Sequence, residues 1–179
     1  MALINIQAKG LKGSFIIFIT AFCLLSCYRN NKSIDHTVTK KLNVNDIVFI
    51  DQYLDTANIN DLINNNKSNI IFRIPRFSCS SCINREIETL KEYLNKDKEK
   101  KYFIVTDYFK IRDFVVFREY SHIKGLNFLN CNAQFTKLDT AQIPYYVLLD
   151  NNLIIKDILL VDKQNHQKSI QFLNHYHNK

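Results

Sequence analysis

The chain has 179 residues, 46% of them hydrophobic, with 24 Lys and Arg against 17 Asp and Glu and a formal charge of +7. That is length enough for one domain with a sizeable core. The lysines are interleaved with acids rather than clustered, which argues against a nucleic-acid partner and for a solvated basic surface with some attraction to anionic lipid headgroups.

Met1 to Lys12 carries Lys9 and Lys12 and no acid, and Phe15 to Leu25 is almost wholly apolar. A basic start followed by a short apolar run describes an export signal. The run is well below the roughly 20 residues that a spanning helix needs. Leu24-Leu25-Ser26-Cys27 follows it. These four residues resemble the lipobox of bacterial lipoproteins, which implies cleavage before Cys27 and a lipid on that cysteine. An ordinary signal peptide or an uncleaved anchor are the alternatives. The expected organisation is a signal over 1–26, a polar tether over 27–45 and a domain over 46–179. Export also sets the redox environment, since cysteines outside the cytoplasm can be held as disulfides. Of five cysteines, Cys23 leaves with the signal and Cys27 takes lipid, so Cys79, Cys82 and Cys131 remain.

Along the domain, Ile47-Val48-Phe49-Ile50 reads as a first strand. Ala57 to Asn66, with Ile59, Leu62 and Ile63 at helical spacing, reads as a short helix. Asn69 to Ile74 is apolar at nearly every position, as a strand buried on both faces should be. Pro75-Arg76-Phe77-Ser78 then leads to Cys79-Ser80-Ser81-Cys82, and Ile83, Ile87, Leu90 and Leu94 fall on one face of a following helix, with Glu86, Glu88 and Lys91 on others. Tyr102 to Thr106 is another buried-type strand. Phe109 to Tyr120 has helical content, with Asp107 as its N-cap, and Gly125 ends that region. Phe128-Leu129 is a short strand with Cys131 after it. Ile143 to Leu149 is a strand entered through Pro144, Asp150-Asn151-Asn152 a turn, and Leu153 to Val161 its hairpin partner. Lys163 to Tyr176 closes the chain as a helix. Strands alternating with helices, then a hairpin and a final helix, argue an α/β fold with a mixed sheet.

Cys79 stands at the first turn of its helix and Cys82 one turn further in. Unpaired backbone N–H groups and the helix dipole favour negative charge there, so the Cys79 thiolate is stabilised. Arg76 is the nearest candidate for added positive charge, with Arg73 and Arg85 behind it. A C-x-x-C alone fits a redox dithiol, a structural disulfide or half of a zinc site. Zinc takes about four ligands, and the sequence has no second C-x-x-C or H-x3-5-H pair, its histidines (His36, His122, His166, His175, His177) being scattered and expected at the surface. No metal and no cofactor are therefore expected. Position at a strand-to-helix junction favours the redox reading. Cys131 reads as a small buried apolar residue.

This order of elements, the C-x-x-C helix and the Ile143-Pro144 strand resemble the thioredoxin fold: a three-layer α/β arrangement with a central mixed sheet flanked by helices. With the export signal, the chain is similar to the membrane-tethered, extracytoplasmic thioredoxin-like oxidoreductases of bacteria. The resemblance covers roughly Asn69 to the C-terminus. It implies Cys79 as nucleophile and Cys82 as resolving thiol, with Ile143 and Pro144 shaping the substrate groove through a cis Ile143–Pro144 bond beside the dithiol. The partners it implies are client proteins with cysteines or disulfides and a membrane redox partner, with Cys27 in the lipid bilayer of the cell envelope and the domain facing the periplasm. The chain departs from the usual pattern in lacking tryptophan, in Ser78 before Cys79 and in Ser80-Ser81 between the cysteines, the two residues that tune thiolate stability. Two rival classes remain: a copper chaperone of the same fold using Cys79, Cys82 and a histidine such as His122, and a binding lipoprotein whose C-x-x-C is only a staple.

Overall fold

The structure, a computed structural model, describes residues 47–63, 69–96, 101–121, 123, 125–134 and 136–177. The signal, the tether, Cys27 and His122 lie outside the described residues. The elements run β1 (Phe49–Asp51), β2 (Thr56–Ala57), α1 (Ile59–Leu62), β3 (Asn69–Ile74), α2 (Ser80–Lys96), β4 (Lys101–Thr106), α3 (Ile111–Ser121), β5 (Asn127–Asn130), a 3-10 turn (Lys137–Ala141), β6 (Tyr145–Leu149), β7 (Ile155–Leu160) and α4 (Gln167–His177). None of the described helices is long and apolar enough to cross a membrane.

The strands make one sheet in the order β2-β1-β5-β4-β3-β6-β7. β3, β4 and β5 run parallel, and the β3–β6, β6–β7, β1–β5 and β1–β2 pairs are antiparallel. Parallel neighbours need a crossover between them, and here α2 and α3 supply it. Both crossovers step the same way along the sheet, so a single handedness puts both helices on one face. α4 packs there too, since Leu173 and Phe172 share a core with Ile83, Ile87, Leu90 and Phe114. The opposite face is covered by Ile59 of α1, Ile63 and Leu138 of the 3-10 turn.

Period-two alternation divides β3 between the two faces of the sheet. Ile70, Phe72 and Ile74 enter the core under α2, while Ile71 enters the other. The α/β architecture expected from the pattern is the one observed, as are the hairpin and the closing helix. Four details differ. The first strand starts two residues later than expected and is followed by the two-residue strand β2, too short for a pattern to reveal. Asp107 does not cap α3: the first bonds of that helix go from the Asp113 and Phe114 amides to the Lys110 carbonyl, and the Asp107 carboxylate is taken by Arg76. Glu86 is wholly buried rather than on an outer face of α2. The Ile143–Pro144 bond is trans, as none of the described peptide bonds is cis. The chain turns into β6 through Gln142, which takes the left-handed conformation at φ 54°, so the reversal needs no cis bond.

Candidate functional site

The loop between β3 and α2 is a tight turn. The Ser78 amide and hydroxyl both donate to the Pro75 carbonyl, at 3.1 and 2.7 Å, which delivers Cys79 to the start of α2. The Cys79 carbonyl accepts the first intrahelical bond from the Ile83 amide at 3.1 Å, so Cys79 is the N-cap residue. Its side chain is exposed, and that of Cys82, one turn on, is buried. Both are free thiols.

Electrostatics separate the two. The Cys79 sulfur lies 3.1 Å from the Ser81 hydroxyl. That bond is the largest reason its pKa is lowered to about 6, followed by the Cys82 backbone N–H and the Cys82 thiol. This is the helix N-terminus acting through named donors. Cys82 shifts the other way: burial raises it, the bond to Cys79 and the Cys79 charge add to that, and Arg85 and Lys163 pull it part of the way back. One thiol is thus ionised near neutrality and the other held protonated beneath it. Because the Cys79 pKa is depressed on folding, its contribution to the stability of the reduced protein is complete above the unfolded thiol range. It is lost as pH falls through about 6.

Arg76 does not join this site. Its guanidinium donates to the Asp107 carbonyl and carboxylate, both at 3.0 Å, and lies over the Phe109 ring. The groups acting on Cys79 are Ser81 and the Cys82 amide and thiol instead. Arg73 points into the other core, and Arg85 donates to the Lys163 and Asp162 carbonyls at 3.1 and 3.0 Å while acting on Cys82. Pro144 is buried, its carbonyl accepting the Val161 amide at 2.9 Å, and Ile143 is partly exposed. The Phe77 amide donates to Gln142 Oε1 at 3.0 Å, which ties the Cys79 loop to the segment that carries Ile143 and Pro144.

Two buried polar clusters support the site from opposite faces of the sheet. On the α2 side, Glu86 accepts from the Tyr146 hydroxyl at 3.0 Å and pairs with His166 Nδ1 at 2.9 Å, and His166 Nε2 lies 2.9 Å from Thr89 Oγ1. His166 is therefore half-buried and wired to α2, not a free surface histidine. On the other side, Arg73 grips the Asp139 carboxylate at 3.2 and 3.0 Å and donates to the Thr106 carbonyl at 2.7 Å. The Tyr145 hydroxyl donates to the same carboxylate at 2.7 Å and accepts from Thr136. Cys131 is buried there, with an Arg73 N–H 3.5 Å from its sulfur, and burial raises its pKa against the pull of Arg73. Ser81, by its position between the cysteines, is expected to tune the thiolate, and it does; sequence reasoning missed Gln142, Glu86, His166 and Asp139. The one local signal was Glu86, four residues after Cys82 and so on the same helical face. No group of three or more His, Cys, Asp or Glu side chains suited to a metal ion occurs among the described residues.

No protein-family model and no curated protein sequence matches the chain. Solved structures do match in shape. A mutant PrxQ of Xylella fastidiosa superposes with a TM-score of 0.57 at 12% identity, over 80% of this chain and 98% of that one. The bacterioferritin comigratory protein of Xanthomonas campestris, described for its alkyl peroxide reduction activity, gives 0.54 at 12% over 78% and 98%. A thioredoxin-like protein of Porphyromonas gingivalis gives 0.52 at 15% over 74% and 90%. At such identities the likeness shows the fold: a thioredoxin-like α/β fold, in agreement with the resemblance read from the sequence.

Proposed function

We propose that the chain is a thiol–disulfide oxidoreductase that exchanges disulfides with exported client proteins from a lipid-anchored position in the bacterial cell envelope. The observation that carries this reading is the asymmetry of the dithiol: an exposed Cys79 ionised near pH 6 above a buried, protonated Cys82. The Cys79 thiolate attacks a client disulfide, forming a Cys79–client disulfide and releasing the other client sulfur as thiolate. Cys82 then loses its proton and attacks the Cys79 sulfur, closing the Cys79–Cys82 disulfide and releasing the client thiol. Two electrons pass to the client. In the reverse direction the oxidised pair accepts them, and a membrane redox partner resets the pair.

Stabilising the thiolate stabilises the dithiol form and so makes the disulfide more oxidising. A pKa of about 6 falls between dithiols that titrate near ~7 and near ~3.5, whose potentials are about −270 and −120 mV. Equilibration with glutathione buffers should place the Cys79–Cys82 couple inside that interval. A bond that no glutathione ratio reduces would make it a structural staple and overturn the reading.

The anchored location rests on the basic start, the apolar run and Leu24-Leu25-Ser26-Cys27. One acyl chain binds membranes only marginally and several hold firmly, so the wild-type protein should sediment wholly with membranes. Cys27→Ser should arrest maturation. An unmodified, soluble mature protein in wild-type cells would refute the anchor and leave the redox chemistry standing.

A second reading, hydroperoxide reduction, draws on the activity described for the Xanthomonas campestris neighbour and on the exposed Cys79 thiolate. There Cys79 would take one peroxide oxygen as sulfenic acid, releasing an alcohol, and Cys82 would condense with it, releasing water. Second-order rates of the reduced protein with cumene hydroperoxide and with glutathione disulfide separate the two.

A further inference from the structure

Strand register puts three further segments at the Cys79 end of the sheet. Ile74 pairs with Thr106, Arg73 with Tyr145 and Tyr145 with Leu160. The start of α3, the stretch entering β6 and the stretch leaving β7 therefore open beside the Cys79 loop. Each is bonded to that loop or its helix: Asp107 to Arg76, Gln142 to the Phe77 amide, and the Lys163 carbonyl to Arg85. They carry exposed cations, namely Lys110 and Arg112 at α3, Lys137 in the 3-10 turn and Lys163 after β7. None of these has an ion-pair partner among the described residues. The acids of this end are taken already, Asp107 by Arg76, Asp139 by Arg73 and Asp162 by Lys168. Asp113, in the first turn of α3, is the acid that stands against the free cations. The far end differs, for Lys91 is paired with Glu88, Arg118 with Glu119 and Lys156 with Asp150. Uncompensated positive charge is thus gathered at the end that carries the dithiol, where Lys163 and Arg85 both act on Cys82.

We infer that Lys110, Arg112, Lys137 and Lys163 select clients whose cysteine or disulfide is flanked by carboxylates, drawing the acidic segment onto Cys79. The inference rests on the thiol-exchange reading and names the substrate class of that site. A cation with a carboxylate beside it has its field largely cancelled, whereas unpaired cations of one sign add. Such a summed field raises the association rate of an opposite charge by about 10–10³. It holds off a basic segment by the same route, so it discriminates between clients. Whatever meets these cations meets Cys79 as well and must bring a sulfur to it. Anionic lipid brings none and, seated there, would cover the thiolate. A second copy of this chain presents the same cations and is repelled. An acidic client segment satisfies both the charge and the sulfur.

The test uses the reduced protein and two short peptides with blocked ends, each with one cysteine in mixed disulfide with mercaptoethanol. One peptide flanks the cysteine with Asp and Glu, the other with Asn and Gln. The readout is the ratio of their exchange rates at subsaturating peptide, divided by the same ratio for dithiothreitol. That division cancels the repulsion a carboxylate exerts on any attacking thiolate, and a general loss of activity does not move it. The wild type should favour the acidic peptide roughly tenfold at about 0.01 M salt, where charges act over about 30 Å. The preference should fall toward one at about 1 M, where they act over about 3 Å. Lys110→Gln, Arg112→Gln, Lys137→Gln and Lys163→Gln together should bring it close to one at low salt. Lys91→Gln, Lys96→Gln, Lys101→Gln and Lys156→Gln, which remove the same charge from the other end, should leave most of it. A wild-type ratio near one at low salt, with hydroxyethyl disulfide still exchanged, overturns the acidic client and leaves the redox reading intact. Equal losses in the two variants overturn the rim as the cause and assign the preference to net charge. Failure to exchange with the peptides and with hydroxyethyl disulfide overturns both inferences. Slower alkylation of Cys79 on phosphatidylglycerol than on phosphatidylcholine vesicles, with a peptide ratio near one, overturns the client and assigns the cations to the bilayer.

Discussion

Cys82→Ser should accumulate covalent complexes with client proteins, and Cys79→Ser should accumulate none while losing exchange by roughly a thousandfold or more, as removal of a nucleophile does. Cys79 caps α2 with its sulfur in solvent, and Cys82 sits a turn lower under it, so a client disulfide meets only Cys79. Once the mixed disulfide has formed, only Cys82 is placed to break it. Serine at position 82 lacks the sulfur for that step and leaves the client attached. Charge supports the same order. Modification of Cys79 by iodoacetamide should be half-maximal near pH 6 and level above it, because its pKa is lowered to about 6. Ser81→Ala removes the largest cause of that shift and should move the half-point upward, toward an ordinary thiol. Non-reducing electrophoresis and the alkylation profile read these outcomes. Equal trapping by both serine variants, or a half-point already at the ordinary thiol value in the wild type, would count against a catalytic dithiol.

Much of the frame behind this site is legible in the sequence, because burial on both faces leaves a mark. Asn69 to Ile74 reads as a central strand since its alternate residues feed two separate cores. The spacing of Ile83, Ile87, Leu90 and Leu94 fixes the face of α2 and so puts Cys82 inward. What stays hidden is whatever depends on distant partners. Glu86 looks like a surface acid until Tyr146 and His166, 60 and 80 residues away, fold onto it. Arg76 is the cation nearest Cys79 in sequence, yet its partner is Asp107, 31 residues on. The 3-10 turn over Lys137–Ala141 has no apolar period to announce it. It nevertheless supplies Asp139, and Gln142 just after it holds the Cys79 loop. Pro144 shows the opposite error: a local signal carried a cis bond with it by resemblance, and a left-handed Gln142 does the turning instead.

Asp139→Ala should cost about 3–5 kcal/mol of stability, the usual penalty for breaking a buried ion pair by removing one partner. Arg73 is fully buried, and Asp139 takes two of its donors, at 3.2 and 3.0 Å. The same carboxylate receives the Tyr145 hydroxyl at 2.7 Å, so removing it takes the acceptor from a buried phenol and the nearer carboxylate from a buried cation, which keeps the Thr106 carbonyl at 2.7 Å and Asp107 at 3.9 Å. For a domain of this size the loss corresponds to a melting point lower by roughly 10–20 °C. The pair also joins β3, which leads into the Cys79 loop, to the 3-10 turn that ends at Gln142. Slackening it should free the Gln142 side chain from the Phe77 amide and slow client exchange beyond the loss expected from unfolding alone. Arg73→Met combined with Asp139→Leu replaces the pair with apolar volume and should recover most of the stability. It should not restore the exchange rate, since the grip between β3 and the turn stays absent. Urea denaturation gives the first quantity, and exchange with glutathione disulfide at a temperature where every variant is folded gives the second. A single variant that loses less than about 1 kcal/mol, the range of an exposed pair, would mean that solvent reaches Arg73 and that the turn is held by something else.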